Sequence, residues 1–407
     1  MNEVEHIAKS IETKEYSIQQ EIKPNKKAIK WLSSCHFTVD AYSGFLNPIL
    51  PFIAEKLGIT MFVASLMVSA SNLSASLSQP LFGYIADRWT KRFFVFWGIL
   101  FASTFLSLIG AAPNPAILAL CIILGSMGVS FFHPQSTSFI PLYSEPKNLS
   151  KDMSVYIAMG TIGFSFGPLI SSKITDTFGL EYLPFAAIFG ILFAFTMFAF
   201  LPRVTVKLNK KSDTSLVQAF SDMFKNKIMR ILLMTSILKS LITSSFALIL
   251  PFYWKAAGYS ATKIGTILFV FMLFAGFGTV ASPFIEKKYG AKRVFYLSMI
   301  LVFPLALAFY YFQNISHIAS TISFLILGFV SFLSVPLNMV MAQKTMPQYK
   351  SMISGFIGGF SWGIIGVLLP VISYVAQHFG MLNVLLVISA VPMCFAYFVK
   401  YLPDYQD

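Results

Sequence analysis

The sequence predicts an all-α integral membrane protein with twelve transmembrane helices in two pseudo-symmetric six-helix bundles. Three observations lead to this fold class. Of the 407 residues, 56% are hydrophobic and only 12% are charged, whereas charged residues make up about 25% of ordinary soluble domains. Apolar runs long enough to cross a hydrocarbon core of roughly 30 Å recur along the whole chain. In addition, the second half of the sequence repeats features of the first half.

Twelve apolar runs bounded by Gly, Pro or charged residues define the candidate spans. They cover residues 31–53, 61–86, 92–112, 115–143, 150–174, 181–201, 229–254, 262–285, 292–312, 317–343, 349–376 and 382–402. The connection between the sixth and seventh runs is polar and rich in lysine, with a short surface helix expected near 215–224. The predicted organisation is a tail at 1–30, bundles at 31–201 and 229–402, a linker at 202–228 and a second tail at 403–407.

Positive charge is distributed unevenly between the two sides of this arrangement. The loops on the side of the termini carry 25 of the 30 Lys and Arg residues, and the opposite loops carry only four. Because cytoplasmic loops carry an excess of Lys and Arg, both termini are expected in the cytoplasm, and the protein is expected in the inner (cytoplasmic) membrane. The net charge of +13 then reflects membrane topology and does not indicate binding to nucleic acid.

The two halves resemble each other at an offset near 200 residues. Ile-Leu-Pro-Phe at 49–52 recurs at 249–252, and Leu-Gly at 124–125 recurs at 327–328. Because each half has six predicted spans, the repeat keeps its orientation in the membrane, and the halves should be related by an axis along the membrane normal. A substrate cavity is expected between them.

Two charged residues lie deep inside predicted spans, Asp40 in the first and Lys239 in the seventh. At 1.5 Å per residue both are roughly 14–15 Å from the start of their spans, near the midplane. An isolated charge at this depth costs several kcal/mol, so each is expected to face a cavity or a partner. One hypothesis is a charge pair across the cavity. Alternatively, Asp40 is a structural hydrogen-bond acceptor and Lys239 extends toward the cytoplasm.

His36 lies one helical turn before Asp40 and on the same face of the helix. It can hydrogen-bond the carboxylate and exchange a proton near neutral pH. Asp40 and His36 are therefore predicted to carry the coupling proton. Tyr42 and Trp362 are aromatic candidates for the wall of the cavity, where they would contact the substrate together with Lys239.

The segment GYIADRWTKR at 83–92 resembles the loop motif G-x-L-A-D-R-x-G-R-K of the major facilitator superfamily, with Thr90 in place of the second glycine. The resemblance implies a gating role for Asp87, Arg88 and Arg92. In this role Asp87 pairs with an arginine or a helix end as a latch that breaks when the bundles rock. The alternative is an ordinary charged flank of a membrane span.

The segment GFSFGPLISS at 163–172 resembles the antiporter motif G-x-x-x-G-P-x-x-G-G, with serines replacing the last two glycines. Gly163 and Gly167 allow a neighbouring helix to approach closely, and Pro168 frees a carbonyl and kinks the span. The motif favours export and places these three residues among the gating residues. Generic packing of small residues is the alternative.

Two further segments resemble the fosmidomycin-resistance family within that superfamily. HFTVD at 36–40 is similar to its H-F-x-x-D, and FHPQS at 132–136 is similar to its F-H-P-E-S. Gln135 replaces the glutamate and cannot carry a proton. The resemblance places His133 and Gln135 among the substrate-binding residues, although His133 could instead bond the carbonyl that Pro134 frees.

The predicted function is proton-coupled export of a small amphipathic or anionic compound by alternating access. Its expected partners are the substrate, protons and the lipid bilayer, for a monomer without a cofactor or a bound metal. An uptake symporter or facilitator would share the whole architecture and stays open as an alternative. An enzyme is not expected, because the sequence contains no H-E-x-x-H, G-x-S-x-G or ATP-binding P-loop pattern.

Overall fold

The computed structural model describes residues 24–88, 92–202, 216–346, 353 and 355–403. In these residues the chain is almost entirely helical and contains no strand, which confirms the predicted all-α class. The described helices of the N-terminal half are α1 (Lys26–Ser43), α2 (Leu46–Leu57), α3 (Met61–Arg88), α4 (Phe93–Leu108), α5 (Pro115–Tyr143), α6 (Leu149–Phe178) and α7 (Ala186–Phe200).

The C-terminal half begins with the short linker helix α8 (Leu216–Lys225), close to its predicted position. It continues with α9 (Lys227–Ala256), α10 (Ala261–Tyr289), α11 (Ala291–Ile300), α12 (Val302–Phe312), α13 (His317–Phe332), α14 (Val335–Thr345), α15 (Phe360–Phe379) and α16 (Met381–Phe395). A π-helical segment, Gly355–Gly359, precedes α15, and a 3₁₀ segment, Ala396–Tyr401, follows α16.

Ten helical stretches of the described chain are long and apolar enough to cross a membrane. The first two predicted spans fall outside this group. The first is broken between α1 and α2, where Gly44 and Phe45 separate two shorter helices. The second is α3, whose apolar part, Met61–Ser76, is short. Helical elements nevertheless overlie all twelve predicted ranges.

Charged groups join the two halves at one end of the molecule. We call the end where α1 begins and Tyr401 lies the terminal face, and the other end the opposite face. On the opposite face, the Asp176 carboxylate accepts hydrogen bonds from the backbone N–H groups of Ala261 (3.0 Å) and Thr262 (2.7 Å), at the start of α10. Nearby, Nζ of Lys255 lies 2.6 Å from the carboxylate of Glu55.

Small polar side chains join the halves between the two faces. The hydroxyl of Ser373 on α15 donates to that of Ser65 on α3 at 2.7 Å. Further along the same helix pair, the hydroxyl of Ser76 donates to the backbone carbonyl of Gly359 at 2.8 Å. Ser76 thus binds the junction between the π-helical segment and α15 from the other half.

Candidate proton and substrate site

Three polar side chains from α1 and α5 meet inside the N-terminal half. Nε2 of His36 lies 3.1 Å from Oδ2 of Asp40, and Nε2 of His133 lies 3.3 Å from Oδ1 of the same residue. Each carboxylate oxygen is thus approached by a different imidazole. We call His36, Asp40 and His133 the His–Asp cluster. Helix α1 places its two members one turn apart on one face, and α5 supplies the third.

Exposure changes steadily across the His–Asp cluster. The side chain of His133 is 27% exposed, that of Asp40 is 15% exposed and that of His36 is 9% exposed. His133 is therefore the member that a small molecule or water would meet first. The three ligand atoms lie within 4.8 Å of one another, so these are the described residues that could hold a metal ion. In the observed arrangement the imidazoles contact the carboxylate directly.

The orientation of His36 is held by α6. Its Nδ1 lies 2.9 Å from the backbone oxygen of Tyr156, and the two rings stack with their centroids 4.2 Å apart. A carbonyl oxygen can only accept a hydrogen bond, so Nδ1 donates. In a neutral His36 ring, Nε2 would then carry a lone pair facing an oxygen of Asp40. A favourable contact requires one further proton, located on Nε2 or on the carboxylate.

Helix α6 comes this close because Gly160 has no side chain. A Cβ at Gly160 would lie 2.4 Å from Nε2 of His36 and 2.7 Å from Oδ2 of Asp40. Sequence reasoning missed the site roles of Gly160 and Tyr156. Positions 156, 160, 163 and 167 share one face of α6, so their spacing with the two motif glycines is the signal that could have identified them.

The ring of Tyr156 is held in turn by hydroxyl groups of α5. Its phenolic oxygen forms a hydrogen bond with Ser136 and lies 3.4 Å from the hydroxyl of Thr137. Tyr156 is 1% exposed. Helices α1, α5 and α6 therefore form a single buried support for the His–Asp cluster.

Lys239 lies in the other half and does not reach this cluster. Its Nζ is buried, and it has no hydrogen-bond partner within the part of the chain that the structure describes. The ring of Phe295 on α11 has its centroid 5.1 Å from Nζ. The hypothesised pair between Asp40 and Lys239 is therefore not formed in this structure, since the ion pairs of Asp40 are with His36 and His133.

The other predicted substrate residues have different environments. Gln135 is fully buried, and its amide nitrogen donates to Ser138 at 3.2 Å while its oxygen has no partner among the described residues. The hydroxyl of Tyr42 donates to the backbone oxygen of Ala186 at 2.6 Å, inside the N-terminal half. Trp362 is 43% exposed. Contact of these three residues with a substrate stays a prediction.

The predicted gating residues on α6 lie in two kinds of contact. Gly163 and Gly167 pack within the N-terminal half, where added Cβ atoms would lie 2.1 Å from the oxygen of Phe37 and 2.3 Å from that of Ala41. The backbone oxygen of Pro168, in contrast, lies 2.4 Å from the Cβ position of Gly265 on α10 in the other half. The close approach of α1 thus explains why residues 163 and 167 are glycines. The contact between the two halves involves Pro168 instead.

The two serines of the motif also have defined contacts. The hydroxyl of Ser171 donates to the backbone oxygen of Phe45 at 3.0 Å, which satisfies a carbonyl at the break between α1 and α2. Ser172 lies against Gly265, where an added Cβ would approach its hydroxyl to 2.0 Å. These serines therefore support the break in the first span and the contact with α10.

The loop motif at 83–92 is described only in part. Residues 89–91, as well as the side chains of Asp87 and Arg88, lie outside the described residues, so the latch stays a prediction. Arg92 donates from Nη1 to the backbone oxygen of Leu201 at 2.7 Å. This bond joins the start of the third span to the end of the sixth, within one half.

Comparison with known proteins agrees with this fold. The family model of the Major Facilitator Superfamily matches residues 32–370. The chain is 25% identical to the fosmidomycin resistance protein of Escherichia coli (strain K12) over 354 residues, which is 85% of this chain and 86% of that protein. It is 26% identical to the sialic acid transporter NanX of Escherichia coli (strain K12) over 295 residues, 69% of each chain.

Solved structures show the same architecture. A crystal structure of the nucleoside transporter NupG superimposes with a TM-score of 0.71 at 16% sequence identity. The match covers 93% of this chain and 100% of that chain. At this level of identity the similarity concerns the fold.

Proposed function

Because the chain belongs to the major facilitator superfamily, we propose that it is a proton-coupled exporter of a small amphipathic or anionic compound. Membership of this family makes it a membrane-embedded secondary transporter of small molecules and not an enzyme. Proton coupling, the export direction and the substrate class are the proposed parts. Asp40 and His36 carry the proton in this proposal, and Lys239 and His133 face the substrate.

One observation carries the coupling proposal, namely the fixed orientation of His36. Its Nδ1 donates to the Tyr156 carbonyl, so its contact with Asp40 is favourable only when the pair holds one extra proton. Loss of that proton leaves a lone pair facing a carboxylate at 3.1 Å. The two protonation states therefore favour different arrangements of α1 against α6. A proton can shift a transporter between two conformations only if it binds one of them more tightly than the other, and a difference in helix arrangement would provide this.

The export direction is supported by two features. The segment 163–172 resembles the antiporter motif, and a relative over most of the chain is named as a resistance protein. In an antiport cycle, the substrate and the proton occupy the site in alternation. His133, the most exposed member of the cluster, would be the residue through which a bound substrate competes with the proton on Asp40.

An anionic group on the substrate is supported by Lys239. Its buried ammonium has no hydrogen-bond partner among the described residues, and an unpaired buried charge is costly. An anion in the cavity would supply the missing partner. We further propose that the protein lies in the cytoplasmic membrane with both termini in the cytoplasm, on the basis of its Lys and Arg distribution. Its monomeric state stays a prediction.

The test measures proton flux in proteoliposomes that contain the purified transporter and a pH-sensitive dye in the lumen. Candidate substrates are added as an outward or inward gradient, beginning with amphipathic organic anions. For an exporter working by antiport, protons move against the direction of the substrate. Asp40→Asn should abolish this proton flux but retain substrate exchange, and Asp152→Asn, near the start of α6, is the matched control. Proton flux at the wild-type level in Asp40→Asn would disprove the assignment.

Uptake is the second candidate function. A relative over 69% of the chain is named as a transporter of sialic acid and not as a resistance protein, so the name of this relative does not favour export. In a proton symporter, the same assay would show protons and substrate moving in the same direction. A facilitator would show substrate flux and no proton flux. The sign of the dye response therefore separates antiport from symport, and the absence of a response during substrate flux indicates a facilitator.

A further inference from the structure

A groove of about 690 Å³ opens on the outer side of the C-terminal half, near the terminal face. It lies between α11, which begins at this face, and the end of α16 with its 3₁₀ extension. Its wall includes the exposed apolar side chains of Leu297 and Met393. Its rim carries Lys292, Arg293 and Lys400. Apolar and cationic groups thus occur together in one elongated depression.

Further positive charge gathers at the same end of the groove. Nζ of Lys227, at the start of α9, lies 3.9 Å from the centroid of the Tyr401 ring. Nζ of Lys400 lies 5.0 Å from the same centroid. Lys400 also lies 3.5 Å from the centroid of the Tyr397 ring, so the two ammonium groups are held beside exposed tyrosines at this end of the groove. For Lys227, Arg293 and Lys400, the described part of the chain supplies no ion pair.

We propose that this groove is a binding site for an anionic phospholipid. The phosphate of the headgroup would lie among Lys292, Arg293 and Lys400, and an acyl chain would run along Leu297 and Met393 toward the middle of the membrane. Basic pockets between membrane helices bind anionic headgroups in this way. The combination favours a lipid over a soluble anion, because a soluble anion makes no use of the apolar wall.

The position in the fold agrees with a lipid as the occupant. Helices α11, α12 and α16 form the ninth and twelfth spans, and many of their large apolar side chains are exposed. Lys292 and Arg293 lie at the start of α11, and Lys400 lies in the 3₁₀ segment that follows α16. These cations meet because both chain segments lie at the terminal face. Because the spans begin and end at this face, the cations would lie at the depth of headgroups in this proposal. Tyr296 and Tyr397, both exposed and in the groove, are residues typical of the membrane interface.

The experiment measures lipid binding to the full chain in neutral detergent by native mass spectrometry. Dioleoyl phosphatidylglycerol and dioleoyl phosphatidylcholine are titrated separately. The variant K292Q/R293Q/K400Q is compared with the control K225Q/K287Q/K288Q, which removes three exposed cations outside the groove. We expect the groove variant to bind phosphatidylglycerol at least about tenfold more weakly than the control. Equal affinity of the two variants, or equal affinity of the wild type for both lipids, would overturn the proposal.

A second arm separates a lipid from a free phosphate. Met393→Trp should fill the apolar part of the groove and weaken binding of phosphatidylglycerol, and inorganic phosphate at millimolar concentration should fail to displace the lipid. Displacement by phosphate together with unchanged binding in Met393→Trp would mean an anion site that does not recognise lipid. Should the triple variant fail to fold, Arg293→Gln and a salt titration of the wild type replace it, because salt screens exposed charges. Salt-independent binding would then overturn the proposal.

Discussion

Asp40 and Lys239 occupy nearly equivalent positions in the two sequence repeats, yet their surroundings differ. Asp40 has an imidazole at each carboxylate oxygen, at 3.1 and 3.3 Å. The buried Nζ of Lys239 has no hydrogen-bond partner in the described chain and lies 5.1 Å from the centroid of Phe295. The two repeats therefore place a charged residue at an equivalent position, but they surround it with different chemical groups. In the N-terminal half the carboxylate already contacts two imidazoles. In the C-terminal half the ammonium has no hydrogen-bond partner among the described residues.

The contrast has a physical origin in the helices that flank each charge. Gly160 lets α6 approach Asp40 and His36 closely enough to contact both. In the C-terminal half, the described helices bring no hydrogen-bonding group to Nζ of Lys239. Close helix packing thus surrounds the carboxylate with partners in one half, whereas the ammonium in the other half has none among the described residues. Four changes test how far this difference governs function and stability.

The largest effect is expected from Gly160→Ala. The added methyl group would lie 2.4 Å from His36 and 2.7 Å from Asp40, so the cluster must shift. We expect destabilisation by about 1–3 kcal/mol and loss of gradient-driven transport. Gly276→Ala is the control, because its Cβ would meet only an ordinary contact at 3.6 Å. Thermal unfolding in detergent and proteoliposome transport measure the two effects. Wild-type transport in Gly160→Ala would show that the cluster tolerates displacement.

A double-mutant cycle on the two charges tests whether they act separately. Lys239→Met removes a buried ammonium that has no described partner, and we expect a gain in stability of about 1 kcal/mol or more. Asp40→Asn and Lys239→Met should be additive, with a coupling free energy below about 0.5 kcal/mol. Thermal unfolding of the four proteins gives the coupling. A coupling clearly above this value would mean that the charges meet in another conformation of the transporter.

Tyr156→Phe separates the two contributions of Tyr156. The backbone carbonyl that orients His36 is retained, and only the phenolic bonds to Ser136 and Thr137 are lost. We expect destabilisation by about 1 kcal/mol with proton-coupled transport largely preserved. The readouts are thermal unfolding and proton flux. If coupling is lost instead, the hydroxyl network must take part in proton transfer.

Asp176→Asn should have the smallest effect on stability. This carboxylate accepts two backbone N–H groups at the start of α10, but it is largely exposed. Because solvent screens it, we expect a cost below about 1 kcal/mol. The contact joins the halves, so accessibility from the opposite face should still rise. Labelling of a cysteine introduced at Ser69, on α3, measures this change. An unchanged labelling rate would mean that the contact is unimportant for closure.

Much of the candidate site was within reach of sequence reasoning. His36 and Asp40 were identified by helical spacing, and His133 by a motif. The contact of His133 with Asp40, the orientation of His36 by a backbone carbonyl and the role of Gly160 were not predicted. A backbone oxygen carries no residue-type signal. The contact between α1 and α6 also depends on which face of each helix turns inward.

The sequence by itself determined the class of membrane protein, the approximate position of the helical segments and the presence of two charges inside predicted spans. These features follow from local properties, namely hydropathy over about 20 residues and the charge of single side chains. Only the tertiary structure decided that Asp40 is bound by two histidines and that Lys239 is left without a described partner. Contacts of about 3 Å depend on the rotation of each helix and on how closely its neighbours approach, and equivalent depth in two repeats specifies neither.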